Sequence, residues 1–334
     1  MNFHPGLRVL PFSFLLFLCI CAPVAADIRF TAGKSALAIP FEMEDNLIYV
    51  PVSINGSKPL SFIFDTGAFN IVDLKRAREI GLPLRVTGKT GGIGDEQQEV
   101  HLGAGKISFG LPGVTLSNQR LLAVSLEKVE ECVNKYAVDA YGRDVSSSTP
   151  ANATRRAVDG ILGAEFFSNF VVEIDYAARL INVYEPKSYK HSGRGEKLTL
   201  EVEPQHVFVK GKVFAHDRQP VTARFLVDTG GAMVVGLTRR FTDEHRLLPP
   251  KEELAPIPIC GLAGTMSVPS QLGGIEALQL GNVKIAGPLV EFRRASVDYD
   301  YDGVIGGALF RRYKVIFDYS RRVMILEPPG GVKS

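Results

Sequence analysis

Short runs of apolar residues, each ended by Gly, Pro or a polar turn, follow one another along most of the chain. Runs of this length are typical of β-strands, whereas the three- and four-residue spacing of long amphipathic helices is scarce. The 33 Gly and 20 Pro are spread through the sequence and supply the breaks between the runs. The pattern therefore predicts an all-β protein.

Two parts of the chain repeat one order of landmarks. Residues 37–67 read as strand, polar break, strand, turn and strand, and end in Asp-Thr-Gly, as do residues 198–230. Each copy continues with an apolar strand, a short helical stretch and a Gly-rich segment, and closes on matching segments at 158–186 and 301–328. Such self-similarity indicates an internal duplication. Within the first copy, Asn55-Gly56 predicts a hairpin turn, and Gly81 the end of a helix.

The duplication predicts two related lobes, at residues 27–190 and 191–334. The first copy carries about twenty additional residues, which lie near residues 127–157. Their first part, EKVEECVNKYA, is consistent with a helix, and the Ser/Thr-rich part from 144 to 156 predicts a surface loop. Both a tolerated insertion and a specificity element would account for them.

The first 26 residues differ from the rest of the chain. Arg8 precedes an apolar run over 11–24, and small residues at Val24-Ala25-Ala26 follow, as in a signal peptide that is cleaved before Asp27. The run is about 14 residues long, whereas a membrane-spanning helix needs roughly 20. We therefore expect export, to the periplasm or out of the cell, with no stable membrane span after cleavage.

Composition narrows the classes of function. The formal charge is +2, and no Lys/Arg stripe is interleaved with aromatic residues, so a nucleic-acid partner is not expected. The six His are scattered without a His-Glu-x-x-His motif, so neither a metal nor another cofactor is expected. Cys132 and Cys260 remain after signal removal, in a compartment that tolerates disulfides, and the sequence leaves open whether they pair.

Asp65 and Asp228 each end an apolar strand, where a buried carboxylate is costly unless it is hydrogen-bonded or shares a proton. The Thr that follows supplies a hydroxyl, and the Gly lets the backbone approach closely. A duplication can bring the two carboxyls together, and neighbouring carboxyls cannot both ionise. Such a pair can activate a water molecule for amide hydrolysis, with one member as base and the other as acid.

The Asp-Thr-Gly triplets, together with Asp-Gly-Ile-Leu-Gly at 159–163 and Asp-Gly-Val-Ile-Gly at 302–306, resemble the signatures of pepsin-like and retroviral-type aspartic proteases. The resemblance implies a two-lobed acid-protease fold and a catalytic dyad that forms within one monomer. The implied partner is a peptide or protein substrate in the cleft between the lobes. Support of the active-site loops is implied for Thr66, Gly67, Thr229 and Gly230.

Two departures from the pepsin pattern concern the residues around the dyad. Ala68 and Gly231 stand where a pepsin-like enzyme usually has Ser or Thr. Loss of a donor to the charged form raises a carboxyl pKa, so activity is expected to extend toward less acidic pH than for pepsin. The pepsin-type flap tyrosine is also missing from both Gly-rich segments.

Those Gly-rich segments resemble the flap of the retroviral group, a hairpin that closes over the substrate. The alternative is two ordinary glycine loops. The flap residues implied by the resemblance are Gly92, Ile93 and Gly94 in the first copy and Gly261 and Leu262 in the second.

Two other functions stay open beside an aspartic endopeptidase. One is a peptide-binding or inhibitor protein that keeps the fold without cleaving, and the other is a hydrolase for a non-peptide substrate. Both aspartates, Asp65 and Asp228, are intact, which favours the endopeptidase, because loss of one is the usual mark of a non-catalytic relative.

Overall fold

The computed structural model describes residues 26–136, 157–216, 218–297 and 299–329. The predicted signal peptide, except for its last residue, and the Ser/Thr-rich loop from 144 to 156 lie outside these ranges. Within them, no helix has the length and apolar character that crossing a membrane requires.

Strands dominate both copies of the duplicated unit. The strands of the first copy are β1 (Asp27–Phe30), β2 (Ser35–Pro40), β3 (Glu42–Glu44), β4 (Leu47–Ile54), β5 (Leu60–Phe64), β6 (Ile71–Asp73), β7 (Leu84–Thr90), β8 (Gln98–Gly103), β9 (Ile107–Leu111), β10 (Val114–Gln119), β11 (Leu122–Val124), β12 (Gly160–Leu162), β13 (Val171–Asp175) and β14 (Leu180–Tyr184). Its helices are α1 (Leu74–Glu79), α2 (Glu127–Tyr136) and α3 (Ala164–Phe167).

The second copy has the same character. Its strands are β15 (Glu196–Val202), β16 (Val207–Phe214), β17 (Val221–Val227), β18 (Val235–Leu237), β19 (Ala255–Ile257), β20 (Cys260–Gly261), β21 (Gly264–Thr265), β22 (Ser270–Gly274), β23 (Ala277–Leu280), β24 (Val283–Ala286), β25 (Leu289–Phe292), β26 (Gly303–Ile305), β27 (Lys314–Asp318) and β28 (Val323–Glu327). Its helices are α4 (Arg239–Glu244) and α5 (Gly307–Phe310), with 3-10 turns at Lys251–Glu253 and Tyr319–Arg321.

One four-stranded unit occurs in both lobes. In the first, β12 pairs parallel with β5 and antiparallel with β6, and β6 pairs parallel with β11. In the second, β26 pairs in the same way with β17 and β18, and β18 pairs parallel with β25. The repeated topology confirms the predicted fold, an all-β, two-lobed acid-protease fold built by internal duplication.

A sheet shared by the two copies joins the lobes. The part of it where the copies meet has the order β15-β28-β27-β13-β14-β2, and the pair β13 and β27 aligns Val171 with Asp318 and Val172 with Phe317. The chain passes from β14 to β15 between residues 184 and 196, which includes the predicted division at residue 190. Because strands on both sides of that division pair in one sheet, the lobe boundaries stay a prediction.

Aromatic side chains fill the core beneath the Asp-Thr-Gly loops. Phe64, which precedes Asp65, is fully buried, and its ring centroid lies 4.4 Å from that of Phe167. Phe167 in turn packs at 5.7 Å on Phe317 of the shared sheet. Removing one such ring costs about 3–5 kcal/mol. This packing couples the first active-site loop to the base of the molecule.

Local signals in the sequence are confirmed at three places. Asn55 and Gly56 both have positive φ, 50° and 79°, as a type I′ hairpin turn requires. Gly81, with φ of 70°, follows helix α1, in the left-handed conformation that glycine adopts at helix ends. The first part of the insertion forms α2, as predicted.

Candidate active site

Asp65 and Asp228 occupy equivalent places in the two lobes. Asp65 directly follows β5, and its N–H donates to the carbonyl of Leu162 at 3.0 Å. Asp228 directly follows β17, and its N–H donates to the carbonyl of Ile305, also at 3.0 Å. The short strands β12 and β26 thus fix both aspartates, which explains why a buried apolar pair follows Asp-Gly in each copy.

Thr66 and Thr229 bind each other's loops across the lobe interface. The Thr66 N–H donates to Thr229 Oγ1 and the Thr229 N–H to Thr66 Oγ1, each at 3.0 Å. Their hydroxyls donate to the carbonyls of Val227 and Phe64, each at 2.7 Å. Both threonines are completely buried. Four reciprocal hydrogen bonds therefore cross-link the two Asp-Thr-Gly loops.

This cross-link brings the two carboxyl groups close enough together that each affects the pKa of the other. The N–H of Gly67 donates to Asp65 Oδ1 at 2.7 Å, and that of Gly230 to Asp228 Oδ1 at 3.0 Å. A Cβ at Gly230 would lie 2.2 Å from Asp65 Oδ2, and one at Gly67 would lie 2.9 Å from Asp228 Oδ1. Each position therefore requires glycine, because a side chain there would clash with the carboxyl of the opposite lobe.

The electrostatics of the pair favour a single shared proton. Burial raises the pKa of Asp65 well above its ordinary value, and the negative charge of Asp228 and the hydrogen bond to its carboxyl raise it further. Burial also raises the pKa of Asp228, but the hydrogen bond to Asp65, the positive charge of Arg293 and two backbone N–H groups oppose that rise. Both raised pKa values agree with one proton shared between the two carboxyls.

Ala68 and Gly231 leave the outer side of each carboxyl without a hydroxyl group. A Cβ at Gly231 would lie 3.2 Å from Asp228 Oδ2, so a serine there would reach this carboxyl. The Gly231 N–H supplies a donor and lowers the pKa of Asp228. The missing hydroxyls agree with the expected shift of activity toward less acidic pH, which stays a prediction.

The two predicted flap loops contact each other. The N–H of Ala263 donates to the carbonyl of Ile93, and the N–H of Glu96 to the carbonyl of Ala263, both at 2.9 Å. Gly94 and Ala263 form an isolated bridge, and a Cβ at Gly92 would lie 3.0 Å from that of Leu262. Action of these loops on a substrate stays a prediction.

Leu262, at the tip of the second loop, shows where the loops lie. It packs against an apolar cluster of the first lobe together with Ala68 and Phe69, which follow the first Asp-Thr-Gly triplet, and Ala232, which follows the second. The second loop therefore packs on the same apolar cluster as the residues that follow both Asp-Thr-Gly triplets.

Cys132 and Cys260 form a disulfide, which the sequence left open. Their Cα atoms are 5.9 Å apart, and helix α2 packs on the β20-β21 hairpin. The bond joins the insertion of the first lobe to the glycine loop of the second.

Sequence reasoning missed a buried ion pair in the second lobe. Arg293 and Glu291 are 3% and 2% exposed, and Arg293 Nε donates to Glu291 Oε1 at 3.1 Å. Their sequence signal is weak, because the pair stands at the end of an apolar strand, before a further arginine. Comparing the two copies residue by residue would have revealed it, since Leu122 and Val124 take these places in the first lobe.

Residues that could hold a metal do not cluster in the described part of the chain, where no group of three His, Cys, Asp or Glu is arranged for one.

Comparison with known proteins finds a family match within the predicted first lobe. Residues 50–166, which include Asp65 and Gly160, match the family model described as aspartyl protease. No curated protein sequence matches the chain. Among solved structures, basic 7S globulin from soybean is similar, with a TM-score of 0.46 and 10% sequence identity over 90% of this chain and 97% of the globulin. Residues 50–166 are thus similar to the aspartyl protease family, and a second copy of the same Asp-Thr-Gly loop follows in the same chain.

Proposed function

We propose that the protein is an aspartic endopeptidase, in which Asp65 and Asp228 activate a water molecule to hydrolyse a peptide bond between the lobes. The observation that carries this proposal is the pair of partly buried carboxyls that the reciprocal bonds of Thr66 and Thr229 bring together. Burying two carboxyls against each other is costly, and a shared proton is the state that relieves the cost.

The shared proton assigns a role to each aspartate. Ionised Asp228 takes a proton from the attacking water while Asp65 donates its proton to the scissile carbonyl oxygen, which gives a neutral diol. When the carbon–nitrogen bond breaks, the proton on Asp228 passes to the leaving amine and a diol proton returns to Asp65. The dyad ends in its starting state, and no covalent intermediate forms.

The glycine loops support a substrate in extended form. The loop around Ile93 and the loop around Leu262 are rich in glycine, so their backbone amides can come close to a peptide between the lobes. The first-lobe cluster that Leu262 contacts is apolar. We therefore propose an apolar side chain on the first-lobe side of the scissile bond.

One experiment separates cleavage from mere binding. The chain without residues 1–26 is incubated with a mixed peptide library from pH 3 to 8, beside Asp65→Asn, Asp228→Asn and the surface control Asp300→Asn. Asp300 is 72% exposed. Loss of cleavage in both dyad variants, with the control still active, is expected. Cleavage that survives either dyad substitution would refute the assignment.

A transition-state mimic resolves the alternative function. A statine-type peptide is titrated into the wild-type protein by calorimetry over the same pH range. Binding together with cleavage supports the endopeptidase. Binding without cleavage of any peptide at any pH would instead indicate a peptide-binding protein that retains the fold.

We also propose that the protein is exported. The disulfide between Cys132 and Cys260 supports this, because such bonds persist in oxidising compartments, as does the apolar leader before Asp27. Fractionation of producing cells, with the amino terminus of the mature protein sequenced, tests the proposal. A cytoplasmic protein that keeps residues 1–26 would contradict it.

The pH range of activity follows from Ala68 and Gly231. Without the outer hydroxyls, kcat/KM is expected to persist toward neutral pH, and Ala68→Ser with Gly231→Ser is expected to move the profile toward acid, because a donor to the charged form lowers a carboxyl pKa. A wild-type profile confined below about pH 4 would contradict this explanation.

A further inference from the structure

The two glycine loops are built in different ways. The first loop, residues 91–96, joins β7 to β8 and lies beyond the last pair of those strands, Thr90 and Gln98. The second loop, residues 260–265, is a hairpin whose own strands, β20 and β21, pair with each other. Internal hydrogen bonds therefore stiffen the second loop as a unit.

Helix α2, at the start of the insertion, is attached firmly to the first lobe. The N–H of Leu126, just before the helix, donates to Asp73 Oδ2 at 3.0 Å. Glu130 Oε1, within the helix, accepts from the N–H of Val158 at 2.8 Å, on the far side of the insertion. Leu126 and Val129 are buried in the apolar cluster of this lobe. The helix therefore belongs to the framework of the first lobe.

The same helix holds the glycine loop of the opposite lobe. Cys132 of α2 is bonded to Cys260 at the start of the second loop, and α2 packs on both strands of that hairpin. Leu262, at the tip of the loop, packs against the apolar cluster that contains Val129. A covalent bond and an apolar contact therefore fasten the second loop to the first lobe.

Hydrogen bonds join the first loop to the second. The N–H of Ala263 donates to the carbonyl of Ile93, and the N–H of Glu96 to the carbonyl of Ala263, each at 2.9 Å. Asp95 Oδ2 accepts from the N–H of Ser267 at 2.6 Å. Because each of these bonds can break and form again, the two loops can separate without any covalent change.

The first loop has one further link to α2. Glu96 Oε1 lies 3.6 Å from Lys128 Nζ, and both side chains are exposed. An exposed ion pair contributes little, whereas a disulfide opens only by thiol exchange or reduction. The first loop is thus held by bonds that open, and the second by one that does not.

The first hairpin also contains a point at which it can bend. Its register shifts between Val86 and Gly88, which marks a β-bulge, and Gly88 has φ of 153°, in the region that favours glycine. Among the described residues, no atom lies within 4 Å of the place that a Cβ of Gly88 would take. The hairpin is therefore free of packing at the bulge, and we expect it to bend there.

We propose that α2 and the bond between Cys132 and Cys260 make the second glycine loop a fixed strap between the lobes, and that the cleft opens by movement of the first loop away from this strap. The insertion then has a role, which is to hold the loop of the opposite lobe in place. The inference rests on the proposed function for one statement, that a substrate enters this cleft.

Spin labels on introduced cysteines measure the movement of each loop. In the chain without residues 1–26, the two natural cysteines are paired in the disulfide, so that introduced cysteines are labelled selectively. The reference label replaces Lys34 of the first lobe, which is 66% exposed. The second label replaces either Gly91 of the first loop, where a Cβ has no atom within 4 Å, or Val268 beside the second loop, which is 45% exposed.

Double electron–electron resonance gives the distribution of distances for each labelled pair. Lys34→Cys with Lys210→Cys, at a strand position whose lysine is 69% exposed, gives the width that label flexibility and lobe motion produce alone. The Val268 distribution is expected to be no wider than this control. The Gly91 distribution is expected to be about twice as wide, as for a mobile loop beside an ordered one. Equal widths for Gly91 and Val268 in the wild type would overturn the proposal.

Removal of the bond tests the role of α2. Replacing Cys132 and Cys260 with Ser is expected to widen the Val268 distribution to about that of Gly91, and an unchanged Val268 width in the folded variant would overturn the proposal. Should this variant fail to fold, Asp95→Ala decides the matter, because Asp95 is an exposed hydrogen-bond partner of the second loop. Widening at Gly91 alone is expected, and equal widening at Val268 would overturn the proposal.

These measurements need no substrate, so they are independent of the proposed function. A protein that cleaves no peptide, yet shows a narrow distribution at Val268 and a wide one at Gly91, would refute the endopeptidase and keep the strap. An active protein with equal widths at the two positions would refute the strap alone.

Discussion

Thr66→Val is the sharpest test of the cross-link under the active site. Valine has nearly the shape of threonine, so it fills the same buried space, but it removes the hydroxyl that donates to Val227 and accepts from Thr229. The carbonyl of Val227 and the N–H of Thr229 then lose a partner in a region that water does not reach.

The magnitude follows from those two groups. An unsatisfied buried donor or acceptor costs about 1–3 kcal/mol, so two of them lower the free energy of unfolding by about 2–4 kcal/mol after partial relaxation. Thr66→Ser keeps both bonds and removes one methyl group, which costs about 1 kcal/mol. Thr199→Val, at an exposed strand position, is expected to change stability by less than about 0.5 kcal/mol.

The free energy of unfolding is measured by urea denaturation, followed by far-ultraviolet circular dichroism because the chain contains no Trp. The expected order of stability is Thr199→Val near the wild type, then Thr66→Ser, then Thr66→Val. A Thr66→Val protein as stable as Thr66→Ser would show that the reciprocal hydrogen bonds do not hold the lobes together.

Three further predictions concern charge, space and covalent linkage. Because the pKa of Asp65 is raised in the folded state, its contribution to stability is present below about pH 4 and is lost as pH rises. The urea midpoint of Asp65→Asn should therefore match that of the wild type at pH 3 and exceed it at pH 7. A lower midpoint at pH 7 would contradict the assignment. Gly230→Ala places a methyl group 2.2 Å from the Asp65 carboxyl, so kcat/KM should fall by about a hundredfold. Gly274→Ala should retain activity, because no atom lies within 4 Å of the added methyl group. Equal activity of the two variants would contradict the prediction. Replacing both cysteines of the disulfide with Ser removes a link between residues 128 apart in the chain. The free energy of unfolding, measured in urea, should fall by about 4 kcal/mol. An unchanged midpoint would mean that the bond adds nothing to stability.

Much of the fold could be predicted because the duplication leaves two copies of each signal. The Asp-Thr-Gly triplets, the hairpin turn at Asn55-Gly56 and the glycine after α1 depend on local backbone geometry, which sequence records directly. The shared sheet could not be predicted in this way. Its pairing of Val171 with Asp318 joins residues far apart in the chain, and a pattern of alternating apolar residues does not determine which strand lies beside it.

In the candidate site, too, short-range features could be predicted from the sequence and long-range ones could not. Residues that hold the dyad through short-range bonds, such as Gly67 and Thr66, follow from the motif. The burial of Arg293 depends on which strand lies beside β18 and on the space at Gly236, and neither is visible in the sequence of one copy. The pairing of the two cysteines likewise depends on how α2 packs against the second lobe.

The disulfide also closes a covalent ring. The ring consists of the bond and of the chain between Cys132 and Cys260, which includes strand β13 of the shared sheet and Asp228. On the proposed function, a substrate that lies between Asp228 and that loop is threaded through this circle. A linear chain can enter by a free end, whereas a macrocycle, or an internal loop of a folded protein, has to enter doubled back, as two strands side by side, unless the bond is reduced.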